Sequence, residues 1–142
     1  MAKPIVVIDT NVFISGLRSR RGASFKLLSM LGEGAFDISV SVPLVLEYET
    51  IARRQARALG LDSETIDDIL DYLCQVALRR EIFFLWRPFL KDPKDDLVLE
   101  LAVESECEFI ITYNRRDFAG TEKFGIKVLT PKEFLKKLGE IT

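Results

Sequence analysis

The sequence contains no histidine. That excludes imidazole as a general base, a triad member or a zinc ligand. Cysteine is scarce too: Cys74 and Cys107 lie far apart, each in an apolar helical stretch. Structural zinc needs about four nitrogen or sulfur ligands, which this chain does not offer. Two buried free thiols in a reducing compartment are the simpler expectation. No apolar run approaches the ~18–20 residues of a membrane span, and no signal peptide precedes the first strand, so a cytoplasmic protein is expected. An excess of one charge is also missing. The 20 Lys and Arg nearly balance the 22 Asp and Glu, leaving a formal net charge of −2. A polyanion would have to be met by a local basic patch or a bound cation.

What remains is ordinary material for one globular domain. The chain has 142 residues, 48% hydrophobic and 30% charged. That length suits a single domain over residues 1–142, with no repeat, low-complexity stretch or linker. Pro4 to Asp9 reads as a buried parallel strand. Asn11 is positioned to cap a short helix to Leu17. A basic loop, Arg18 to Gly22, leads to a helix over Ala23 to Leu31. Phe36 to Val40 is a second strand, and Pro43 opens a helix to about Leu59. Helical spacing returns from Ser63 to Arg80. Ile82 to Trp86 is expected as a third strand. Asp92-Pro93 opens a helix to about Ser105, Glu108 to Thr112 and Lys127 to Leu129 are two more strands, and Pro131 starts a last helix to about Leu138. The alternation predicts an α/β fold, with a central mostly parallel sheet flanked by helices.

Ligands of open α/β sheets bind beyond the carboxyl ends of the strands. Asp9, Thr10 and Asn11 follow the first strand, and the helix after the second brings Glu47. Asp95 and Asp96 begin the helix before the fourth strand, and Thr112, Asn114 and Asp117 follow it. Gathered carboxylates repel one another unless a cation sits among them, and oxygen donors select hard ions such as Mg²⁺ or Mn²⁺. Glu47 has no cation at helical spacing, whereas Glu49 has Arg53 at i+4 and reads as a solvated pair. Asp92 reads as a helix cap and Asp95 as the partner that completes a capping box. Asp96 is left over and is preferred as a ligand, with Asp95 next.

Taken in order, these segments resemble the PIN domain family, and within it the VapC-like toxins of toxin–antitoxin pairs. The carrying residues are Ile8 to Phe13, Ser39 to Pro43 with Leu46-Glu47-Tyr48, Asp92 to Asp96, and Phe109 to Phe118. The resemblance spans nearly the whole chain. It implies a Mg²⁺- or Mn²⁺-dependent endoribonuclease acting on single-stranded RNA. It places catalytic acids at Asp9, Glu47, Asp96 and Asp117. The third falls on Asp96 by its spacing to Thr112, with Asp95 one position away. Asn114 stands where many relatives carry Asp, one negative charge fewer. A small antitoxin and a homodimer are the partners implied. Thr10, Asn11 and Thr112 would orient ligands or water. Arg18, Arg20, Arg21, Arg115 and Arg116 would hold the RNA backbone, or else form solvated loops. Phe83, Trp86 and Phe89 are apolar residues for a partner surface or for the core. The rival reading is a PIN-like module that binds RNA or protein without cleaving. A phosphatase of the haloacid-dehalogenase type ranks low, because it needs a second Asp where Asn11 stands.

Overall fold

A computed structural model describes residues 3–81 and 89–140. Its sheet is built from β1 (Ile5–Ile8), β2 (Asp37–Val40), β3 (Leu78–Arg79), β4 (Phe109–Ile111) and β5 (Lys127–Leu129). All five strands run parallel, in the order β3-β2-β1-β4-β5. Val6, Val7 and Ile8 of the central strand are fully buried. The apolar run before Asp9 thus takes the central position, paired on both edges and buried. Val6 sits beside Ile38 on one side and Phe109 on the other, and Ile8 beside Ile111.

The chain winds outward from β1 to β2 and β3, then returns to the other side of β1 for β4 and β5. The order therefore reverses between β1 and β4, and their carboxyl ends flank the crevice that such a reversal opens. At the opposite edge, the turns that feed the strands use left-handed backbone. Gly34 (φ 98°) precedes β2 and Glu106 (φ 54°) precedes β4.

The helices are α1 (Thr10–Arg18), α2 (Ala23–Ser29), α3 (Val42–Arg54), α4 (Ala56–Leu59), α5 (Ser63–Val76), α6 (Pro93–Glu104) and α7 (Pro131–Lys137). Side-chain caps start several of them: Ser41 accepts from Leu44 N, Asp62 from Thr65 N and Asp92 from Lys94 N. Thr130 and Glu133 form a reciprocal capping box on α7. Among the described residues no helix is long and apolar enough to cross a membrane. Both cysteines are free thiols, and burial pushes Cys107 up to about 12.

Three expectations change. Asp9, not Asn11, caps α1, because Asn11 lies one residue inside the helix. The helix after Pro43 breaks at Gln55, whose backbone (φ −101°, ψ 11°) leaves helical geometry before α4. The helix expected to reach Arg80 stops at Val76: Ala77 is extended, and Leu78 pairs with Ser39 to make the edge strand β3. The strand expected over Ile82 to Trp86, with Phe83 and Trp86, lies outside the described residues. Phe89 is half-exposed, edge-on to Phe124 at 5.3 Å.

Candidate active site: an acidic cleft at the strand ends

Asp9 ends β1 in extended backbone (φ −64°, ψ 151°) and caps α1. Its side chain is nearly buried. One carboxylate oxygen accepts from Thr10 N at 2.8 Å, the other from the Thr112 hydroxyl at 2.7 Å. Thr112 follows β4 and is fully buried. Its oxygen also accepts from Asn11 Nδ2 (3.3 Å) and Asn114 N (3.0 Å). Asn11 Oδ1 in turn accepts from Tyr113 N. The loops after β1 and β4 are thereby laced together around Asp9. Burial raises the Asp9 carboxyl above its ordinary range. The two hydrogen bonds oppose that shift, while the charges of Glu47 and Asp117 add to it.

Glu47 arrives from α3, half-buried, and accepts a hydrogen bond from the Thr10 hydroxyl. Its neighbour Tyr48 is fully buried. Burial, then the charges of Asp9 and Glu47, raise the Tyr48 phenol well above its usual value, so it stays a neutral donor.

The structure separates the two candidates at the start of α6. Asp95 faces the cleft beside Asp9, Glu47 and Asp117. Burial, followed by the charges of Asp9, Asp117, Asp92 and Glu47, pushes its carboxyl up to about 7. Asp96 does not line the cleft. It is buried about 100° around the helix, and its Oδ1 accepts from Leu90 N (2.8 Å) and Phe89 N (3.3 Å). Asp96, the ligand preferred from the sequence, holds the backbone that leads into α6. The capping-box role expected of Asp95 is not taken up either, since Asp92 alone caps this helix among the described residues. Asp117 lies in a 3₁₀ turn, Arg115–Phe118, held by Asp117 N donating to Asn114 O at 3.0 Å. Asp117 and Asn114 both line the cleft.

The cleft has a volume of about 390 Å³. The five arginines singled out by sequence do not converge on it. Arg18 does line it, and donates to Gln55 Oε1 at 2.7 Å. Arg20 and Arg21 line a separate basic hollow with Lys26 and Lys132. Arg115 pairs with Glu133 at 3.1 Å, and Arg116 is exposed. Lys94 and Gln55 line the cleft and carry no signal in the sequence. A lysine between Pro93 and two aspartates looks like a solvated helix start, and only the turn of α6 brings it to the rim.

The donor set is entirely oxygen, and Asp9, Glu47, Asp95 and Asp117 each carry a carboxylate into one crevice. Asp9 and Asp95 are raised partly by the other acids, as crowded carboxylates are when nothing offsets their charge. That chemistry fits a hard divalent ion. Among the described residues no three acidic groups are already drawn into a closed cage.

A family model described as "PIN domain" matches residues 5–116. No curated protein matches the chain by sequence. Among solved structures, the chain is similar to one in the crystal structure of VapBC2 from Rickettsia felis bound to a DNA fragment from their promoter. The TM-score is 0.60 at 13% identity, over 88% of this chain and 98% of that one. At that identity the likeness speaks for the fold.

Proposed function

The chain belongs to the PIN domain family, and from that premise we propose that it is a Mg²⁺- or Mn²⁺-dependent endoribonuclease that cleaves single-stranded RNA. PIN domains are generally nucleases. The observation that carries the reading for this chain is the crevice between β1 and β4, where Asp9, Glu47, Asp95 and Asp117 meet. Those four would hold the ion, with Asn114 beside them. When bound, the ion supplies a Lewis acid for the phosphodiester and lowers the pKa of water. Thr112 and Thr10 keep Asp9 and Glu47 aimed into the crevice, and Asn11 braces Thr112. Arg18 and Lys94 at the rim offset phosphate charge and hold the RNA backbone. Arg20, Arg21, Arg115 and Arg116 lie outside the cleft and would serve only a longer substrate.

The similar structure carries VapBC2 in its description, and the reading extends to a toxin held by a small antitoxin, in the cytoplasm, with a second copy of this chain as a further partner. The rival, a PIN-like module that binds without cleaving, draws on the lack of a closed carboxylate cage among the described residues. One experiment separates them. The purified protein is incubated with mixed single-stranded RNA, with Mn²⁺ or with chelator, beside Asp9→Ala and Glu47→Ala. Cleavage that needs Mn²⁺ and is lost in both variants is expected. Full activity in both variants would sink the site, and ion-independent binding without cleavage would favour the module.

A further inference from the structure

We infer that Tyr48 is a positioning residue for the acidic cleft, a strut that fixes Asp9 against Glu47. The inference rests on the nuclease reading above. Tyr48 follows Glu47 on α3 and is fully buried, with its ring stacked on Phe13 at 4.5 Å and 19°. Its hydroxyl donates to the carbonyl oxygen of Ile8. That carbonyl and the N–H of Asp9 belong to one planar peptide unit. The same unit donates from its other side, Asp9 N to Ile111 O at 2.9 Å. The register between β1 and β2 stops at Val6 and Ile38, and Tyr48 takes up a carbonyl beyond that point. The peptide plane from which the Asp9 side chain departs is thus gripped by β4 on one edge and by α3 on the other.

The links then close into a ring. Glu47 is joined to Tyr48 through the chain, and Tyr48 to the Ile8–Asp9 peptide by its hydroxyl. Asp9 is joined to Thr10 through the chain, and the Thr10 hydroxyl returns to Glu47. Any buried tyrosine needs a partner for its hydroxyl. A merely structural one has no reason to select the peptide of one cleft acid while adjoining another. Tyr72 shows the structural case: it makes the same type of bond, to Leu31 O at 2.9 Å, on α5 and outside the cleft.

Tyr48→Phe and Tyr72→Phe each remove one oxygen and keep the ring. Mn²⁺ binding is measured by calorimetry, folding by thermal melts, and RNA cleavage over a range of Mn²⁺. Tyr48→Phe is expected to bind Mn²⁺ about ten-fold more weakly, the scale seen when a residue supporting a metal ligand is lost. Its cleavage should recover as Mn²⁺ is raised. Tyr72→Phe should lower the melting temperature and leave Mn²⁺ affinity at the wild-type value. A Tyr48→Phe protein that binds Mn²⁺ like wild type, or that does not fold, assigns the hydroxyl to stability and overturns the strut. A wild-type protein that neither binds Mn²⁺ nor cleaves RNA overturns the nuclease reading itself, and the strut with it.

Discussion

The two sides of the cleft are built differently. On the β1 side, both oxygens of Asp9 accept hydrogen bonds and Glu47 accepts one from Thr10. On the α6 side, the Asp95 and Asp117 side chains accept none from described residues; Asp95 lies in the first turn of α6 and Asp117 in a 3₁₀ turn. The first side is braced by hydrogen bonds and the second is not. Under the proposed reading, braced acids supply geometry, and unbraced ones let the site adapt to an ion that retains water.

The largest effect should come from breaking the braced side. Asp9→Asn keeps an acceptor for the helix cap but removes the charge, and cleavage should fall by roughly a hundred-fold or more, from the loss of several kcal/mol of transition-state stabilisation. Its melting temperature should stay near wild type, whereas Asp9→Ala should lose about 1 kcal/mol as well, the worth of a cap. Equal stability of the two variants would show that the cap contributes nothing.

Asp95 and Asp96 sharpen the comparison next. Asp95→Asn should weaken Mn²⁺ binding while leaving folding intact. Asp96→Ala should do the reverse, costing about 1–3 kcal/mol because it strands the buried N–H of Leu90. Calorimetric Mn²⁺ titration and thermal melts on both variants give the crossed pattern. Loss of Mn²⁺ affinity in a fully folded Asp96 variant would return that residue to the site.

The last effect is electrostatic. The Asp95 carboxyl lies at about 7 in the ion-free fold, against 3.8 for the free group. Between those values the folded Asp95 holds more proton than the unfolded one, so its contribution to stability falls as pH rises from about 4 to 7 and levels off above. Asp95→Asn should flatten that slope, as should saturating Mn²⁺. A slope unchanged in the variant would place the proton elsewhere.

Much of this was legible in the sequence. The apolar run before Asp9 read as a buried parallel strand, and Glu47 stood out because no cation shared its helix face. The choice at Asp95 and Asp96 was not legible. Val98, Leu99, Leu101 and Ala102 are all buried, so α6 is apolar almost all round and its periodicity carries no phase. Two adjacent aspartates then differ by a rotation that only packing decides. Residues Ala77 to Arg80 were likewise silent. Ala and Leu suit a helix as well as a strand, and pairing with Ser39 settles the matter. The arginines fall at different edges, and a charge run in sequence says nothing of which loop edge it occupies.

The left-handed turns at the far edge of the sheet have a practical consequence for anyone rebuilding this molecule. Carboxylates occupy one rim of the sheet, and the chain reverses at the other. At Gly34 an added Cβ would meet no neighbouring atom within 4 Å. A tag or peptide spliced in there would sit across the full length of the strands from Asp9. The rim that turns the chain is open to redesign, while the rim that holds the acids is not.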